Sequence, residues 1–470
     1  MDRVLKIEDI DLLQGKFHIL KKPRQIFPFN THGARTVQNN FRPVVSELAR
    51  LITNLKIDQK QLDDLQYEHL KGVQKISEYI GRNTDLDFMN DEVAKVNFIR
   101  FLEEFLFKSG SGDINIVHPY LYNIGDCNTK DAVVKNLSSF SKEILIGDDP
   151  ELQKIFTKIE ADDVLMDLIV SSLQKLLVEN KKGQKARNYQ DLFPHLTKLY
   201  REDLHFMMQH NEFFLENFEV LTNYYTFMYA VQGTIQFPKF TNGNYDEATP
   251  LYFVLDWESI TKKRSAASPV LGYKMVKQYA SQLFAHEHVL GQLSYNILNK
   301  DNDYSEVKNY RDLVEEIDSL GSKYTEQFRN DLKDWIKAYS AWAEIETPNL
   351  GDSVEDLLKM LLEQVIEGMN DKAQEKYGSS IEHIGLGTFL KQRGSLGYLF
   401  NITHDFLMMM TAVIVKDERM PLKTLLGEFE KRGMAFDRFS IIEIVTLFNT
   451  HNLLDNKSDS GDAQYVKPIL

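Results

Sequence analysis

The residues of this chain best suited to chemistry are its clustered cations, and that chemistry would be contact with an anion. Lys181, Lys182, Lys185 and Arg187 form the sharpest basic run, with Tyr189 just beyond it. Lys262, Lys263 and Arg264 form a second run, after the apolar, strand-like segment Leu251 to Glu258. Nearer the C-terminus stand Lys391, Arg393, Arg438 and Lys457. Basic loops beside aromatic residues can track a phosphate backbone, because lysine and arginine displace its condensed counterions. The same runs also suit solvated loops with no partner.

Catalytic patterns are missing where they would be easiest to see. There is no G-x-x-x-x-G-K-[ST] loop to cradle a triphosphate, no G-x-S-x-G elbow and no H-E-x-x-H pair. His286-Glu287-His288 resembles a metal cluster by composition. On a helix, however, residues two apart point about 200° apart, so the two imidazoles do not share one ion. His205 and His210 are five apart, also off the same-face spacing. The adjacent pairs Glu103–Glu104 and Asp162–Asp163 read as solvated helix faces. A nuclease would gather carboxylates around a divalent ion from strand ends, and a helical chain offers no such frame. The expectation is therefore a chain with no catalytic residues, no metal site and no cofactor.

The elements that must carry the cations are mostly helices. Val44, Val45, Leu48, Leu51, Ile52 and Leu55 form one apolar stripe. Ala94, Phe98, Phe101, Leu102 and Phe105 form another, and the aromatic-rich stretch 191–237 reads as helix–helix core. Residues 1–43 read as irregular, a surface arm or a polar clamp built from Arg35, Asn39, Asn40 and Arg42. Breaks are expected near Glu346 to Gly351, with Ser353 just beyond as a candidate cap, and near Tyr377-Gly378-Ser379-Ser380.

The C-terminal stretch is the most ordered in pattern. An apolar helix is expected over Leu396 to Val415, and a second after Pro421, ended by Gly433. Asp437 or Ser440 can cap a third helix, in which Ile441, Ile444, Val445 and Phe448 recur at helical spacing. A polar turn, residues 456–462, then leads to a returning strand at Gln464 to Lys467. Three helices followed by a hairpin is the order of a winged helix. Its third helix turns Glu443, Thr446, Asn449 and Thr450 outward, a face poor in cations, so Thr446, Asn449 and Thr450 are candidate partner contacts. The fold class expected is mainly α. The domains expected are a helical one at 1–245, a central helical one at 246–378 and a winged helix at 379–470.

At 470 residues the chain can hold two or three cores. Its formal charge of −14 excludes a nucleic-acid coat, so any duplex contact must be a local patch. No apolar run is long enough to span a bilayer, and no membrane partner is expected. A single cysteine, Cys127, excludes an intrachain disulfide framework. Together with an N-terminus lacking a signal-peptide core, it fits a reducing cytoplasm.

Three C-terminal segments carry a resemblance: Arg393 to Tyr398, Glu428 to Gly433, and Lys457 to Val466. They are similar to the G subunit (DptG, or DndG) of the bacterial DNA phosphorothioation-dependent restriction system, and Leu255-Asp256-Trp257-Glu258 also looks like that family. The resemblance implies antiviral defence against DNA lacking the sulfur mark, beside subunits with ATPase or helicase-like features. No catalytic residue of that family is carried over. The expected function is a non-catalytic restriction subunit that bridges double-stranded DNA and those partner subunits. The alternatives are a protein-interaction scaffold that never touches DNA, and a metal-dependent nuclease.

Overall fold

A computed structural model of the chain describes residues 3–5, 7, 24–63, 73–84, 91–107, 113–125, 131–161, 163–180, 188–298, 306–456 and 464–470. Among these residues the protein is mainly α, with eighteen α-helices and nine short strands. It divides into two compact units: 40–186 with 204–223, and 1–39 with 187–203 and 224–470. The boundaries expected at 245 and 378 both fall inside the latter.

The first unit is built from α1 (Arg42–Thr53), α2 (Gln59–Asp63), α3 (Val73–Asn83), α4 (Glu92–Leu106), α5 (Ala132–Phe140), α6 (Pro150–Thr157) and α7 (Val164–Leu176). Two strands, β1 (Leu55–Ile57) and β2 (Leu177–Glu179), pair antiparallel. The apolar faces of α3, α4 and α7 bury Ile76, Ile80, Leu102, Leu106, Ile169 and Leu173 together. Aspartates cap these helices where unpaired amides demand an acceptor: Asp91, Asp131, Asp149 and Asp163 accept from the first-turn N–H groups. Arg42, one of the residues read as either a surface arm or a polar clamp, is bonded within the unit to Glu219 at 2.5 Å.

The two units share α8 (Pro194–Met207) and α9 (Asn211–Gln236), divided at Asp203/Leu204 and Asn223/Tyr224. The second unit continues with β3 (Leu251–Leu255), α10 (Tyr273–Tyr279), α11 (Leu283–Ser294), α12 (Tyr310–Ser319), α13 (Ser322–Ala343), α14 (Val354–Gly368) and α15 (Asp371–Gly385). Its aromatic core is the one expected for residues 191–237: Tyr200, Tyr224, Tyr225 and Tyr229 are fully buried. The arm is buried as well from Ile26 to Phe29. Glu287 on α11 accepts the amides of Ile26 and Phe27 at 2.7 and 3.4 Å, so these non-helical residues find polar partners while their side chains enter the core.

The chain ends with β4 (Leu390–Gln392), β5 (Tyr398–Ile402), α16 (His404–Val415), β6 (Met420–Pro421), α17 (Leu422–Lys431), β7 (Met434–Phe436), α18 (Arg438–Thr450), β8 (Leu454–Asn456) and β9 (Gln464–Val466). Three helices and a hairpin are present in the expected order, with the extra strand β6 making a sheet of order β6-β9-β8. Two expectations fail here. The helix expected from Leu396 begins only at His404, because Thr403 caps it by accepting the Phe406 amide at 3.2 Å. Tyr398–Ile402 is a strand instead, since a continuous apolar run suits a parallel strand buried on both faces. The break expected at Tyr377 to Ser380 lies inside α15. There Gly378 permits close backbone approach: a Cβ on it would stand 2.3 Å from the Ala280 carbonyl oxygen.

A four-stranded sheet of order β4-β5-β3-β7 joins segments that are far apart in sequence. β3 runs parallel to both β5 and β7, with Val254 beside Asn401 and Phe253 beside Phe436, while β4 runs antiparallel to β5. This pairing is why a boundary at 378 does not separate two cores. The carboxyl ends of β3, β5 and β7 consequently open on one edge, the place where open parallel sheets present their functional side chains.

Candidate functional site

Three of the expected cations, Arg264, Lys391 and Arg393, meet at that edge. The turn after β3 supplies Asp256, Trp257 and Glu258, and the loop beyond supplies Arg264. β5 ends on Asn401 and Ile402, with the cap Thr403 next, and Asp437, the cap of α18, follows β7. β4 and the turn after it bring Lys391 and Arg393.

Arg264 is the centre of the first cluster and is only 7% exposed. Its Nε donates to Asp437 Oδ2 at 2.6 Å and its Nη2 to Asp437 Oδ1 at 2.9 Å, a bidentate pair. The same Nη2 lies 3.0 Å from Glu258 Oε2 and 2.8 Å from Ser440 Oγ. Ser440 in turn donates to Glu258 Oε2 at 3.1 Å. Burial alone would raise the Asp437 carboxyl. The Arg264 hydrogen bond and the amides of Ser440 and Phe439 outweigh it and hold that carboxyl below its usual range. Burial likewise opposes the Arg264 charge, but Asp437 and Glu258 more than restore it.

The second cluster is centred on Asp256. Lys391 forms a close ion pair with it, and this hydrogen bond holds the Asp256 carboxyl below its usual range despite partial burial. Arg393 turns inward, its Nη2 donating to the carbonyls of Leu255 and Asp256 at 3.2 and 3.0 Å and to Asn401 Oδ1 at 2.9 Å. The strand ends thus do gather three carboxylates, Asp256, Glu258 and Asp437, which the helical reading of the chain did not foresee. Asp256 pairs with Lys391, while Glu258 and Asp437 share Arg264. Among the described residues no group of three His, Cys, Asp or Glu is arranged to hold a metal ion.

The remaining cations lie differently. Lys262 and Lys263 are exposed beside the buried Arg264. Arg438 is exposed at the first turn of α18, its guanidinium 4.6 Å from the Phe439 ring centroid, with that of Arg264 at 5.1 Å. Lys181, Lys182, Lys185, Arg187 and Lys457 lie outside the described residues. His286, Glu287 and His288 face three ways, toward Tyr310, Tyr377 and Phe284. His205 sits 2.7 Å from Asp149, and His210 packs on Phe206.

Thr446, Asn449 and Thr450 are exposed on α18. They belong to a face whose apolar members the sequence reading left out: Phe439 is 47% exposed and Ile442 60%. The hydroxyls of Thr446 and Thr450 donate back to the carbonyls of Ile442 and Thr446, both at 2.9 Å. With those hydroxyls satisfied by the helix, the threonines add little hydrogen-bonding capacity of their own to this face. The signal was present, because Phe439, Ile442 and Thr446 stand at i, i+3 and i+7, the spacing of one helix face.

A scan against protein-family models and a search of curated proteins each find no match to this chain.

Proposed function

We propose that the chain is a non-catalytic adaptor subunit that docks a partner protein through the outward face of α18. The observation that carries this reading is the exposed Phe439–Ile442–Thr446 stripe on a helix with no cation beyond its first turn. An amphipathic helix offering apolar anchors at this spacing suits a protein groove, whereas a phosphate backbone calls for lysine or arginine along the helix. The order of α16, α17, α18 and the β6-β9-β8 sheet supports reading this end as a winged helix, a module whose third helix meets either a duplex or a protein. The ion pairs of Asp256 with Lys391 and of Glu258 and Asp437 with Arg264 support a positioning role for the strand edge.

The resemblance to DptG supplies the setting: a bacterial, cytoplasmic, phosphorothioation-dependent restriction complex, in which the chain stands beside ATPase- or helicase-like subunits. Contact with double-stranded DNA is a second reading, favoured by exposed Lys262, Lys263 and Arg438 around the start of α18. Arg264 belongs to the scaffold of that patch in either reading.

The test is capture of the companion subunits by the full chain, together with mobility shift on modified and unmodified duplexes. Ile442→Glu is expected to abolish capture without unfolding the chain. Undiminished capture by that variant would sink the docking reading. Lys262→Glu with Lys263→Glu is expected to weaken any duplex shift about equally across sequences. Plasmid nicking with magnesium or manganese, lost in a single carboxylate variant, would instead establish a nuclease.

A further inference from the structure

We propose that His404 and His451 form a surface site for a divalent transition-metal ion of the zinc, nickel or copper type. His404 opens α16 and His451 directly follows α18, so two separate helices each deliver one imidazole. Their Nε2 atoms stand 3.3 Å apart. Two nitrogens bound at about 2.0–2.1 Å to one tetrahedral ion lie roughly 3.3 Å from each other, so the pair already has the spacing of two ligands on one ion. The ring centroids are 5.3 Å apart and the planes inclined by 43°, an open arrangement rather than a stack.

The partner on the far side of His404 fits the same chemistry. Its Nδ1 is 3.0 Å from Oδ1 of Asp405. A carboxylate there favours the proton on Nδ1 and leaves Nε2 as the lone-pair donor, the arrangement that orients metal-binding histidines elsewhere. Imidazole suits zinc, nickel and copper. With two protein ligands the other positions fall to water, so the affinity is weaker than that of a closed four-ligand centre. A bound ion would pin the start of α16 to the end of α18, the helix of the docking face, although the site does not depend on that docking reading.

Trp257 provides the readout. It is 42% exposed, and its ring centroid lies 6.2 Å from that of His404, so copper(II) or nickel(II) held there will quench its emission. Titration of the full chain with nickel or copper salts is expected to give saturable quenching at one ion per chain. Trp257→Phe should remove that component, and zinc should reverse it by competition. His404→Gln and His451→Gln should each weaken binding at least about tenfold. Asp405→Asn should weaken it a few-fold, through loss of the carboxylate that orients the ring. Far-UV circular dichroism of these surface variants should match that of the parent. Quenching that grows linearly into the millimolar range, or saturable quenching unchanged in either histidine variant, would overturn the proposal and leave the pair a simple hydrogen-bonded contact.

Discussion

The Arg432 guanidinium clasps the Asp203 carboxylate through two hydrogen bonds, Nη2 to Oδ1 at 2.6 Å and Nε to Oδ2 at 2.8 Å. Both side chains are excluded from solvent, and the Tyr225 hydroxyl adds a 2.6 Å bond to Asp203 Oδ2. Burial works against the Arg432 charge, but the Asp203 carboxylate more than compensates and holds it fully protonated. Removing Arg432 leaves the Asp203 charge buried without a cation, and removing Asp203 leaves Arg432 only the more exposed Glu428, 3.1 Å from its Nη1. Arg432→Leu or Asp203→Leu alone is therefore expected to destabilise by about 3–5 kcal/mol. The double variant should lose much less than the sum. Denaturant unfolding of the three variants checks this, and strict additivity would count against the pairing.

Arg264 and its neighbours Lys262 and Lys263 read alike in sequence but should behave oppositely. Arg264→Leu strips hydrogen bonds from Asp437, Glu258 and Ser440, an expected loss of about 2–3 kcal/mol. Lys262→Ala and Lys263→Ala remove exposed charges and should stay within about 0.5 kcal/mol of the parent. The decisive measurement is the difference between these variants in one denaturation series.

That contrast also marks how far the sequence could be read. Helix caps were legible, because Ser353 and Asp437 act through amides two or three residues away. The apolar stripes of α1, α4 and α18 were legible in part for the same reason, as helical spacing is local: Val44, Val45, Leu48, Ile52 and Leu102 are buried, but Leu51 and Phe101 are exposed and Leu55 opens β1. The burial of Arg264 was not, because its partner Asp437 lies 173 residues further along the chain. The parallel sheet was equally hidden. β7 is only three residues long, and Leu399, Phe400 and Ile402 sit in an apolar run that suits a helix as well as a strand. Consequently the three carboxylates at the strand ends could not be brought together from sequence. The outward stripe of α18 was within reach, but Thr446, Asn449 and Thr450 were singled out as polar contacts without Phe439 and Ile442.

Two helical glycines should respond to alanine with opposite signs. A Cβ on Gly378 would stand 2.3 Å from the Ala280 carbonyl oxygen and 2.9 Å from the Ser281 amide nitrogen, backbone atoms that cannot rotate away. Overpacking of about 1–3 kcal/mol should exceed the roughly 1 kcal/mol that alanine gains in helix propensity, so Gly378→Ala is expected to destabilise. Gly427 on α17 has nothing within 4 Å of the added carbon, and Gly427→Ala should stabilise by up to about 1 kcal/mol. Thermal melts of the two variants decide it, and shifts of the same sign would contradict the packing assigned to Gly378.

His286 should make the second unit sensitive to acid. It is completely buried on α11 beside Phe237 and Phe240, with Nδ1 2.8 Å from the Tyr310 hydroxyl. Burial pushes its imidazole down from 6.5 to about 3. Between those values the unfolded chain binds a proton at this position and the folded chain does not. The neutral form therefore contributes stability that is fully present above about pH 6.5 and is lost as pH falls toward 3, by about 1.4 kcal/mol per pH unit within the window. His286→Gln carries no titrating group, so it should be less stable than the parent near neutrality yet lose stability more slowly on acidification. Denaturant unfolding at several values between pH 6.5 and 4.5 gives the two slopes. Carboxylates held below their usual range, such as Asp437 and Asp256, titrate in both proteins and cancel in the difference. Parallel slopes for parent and variant would show that this imidazole is not protected from protonation in the folded chain.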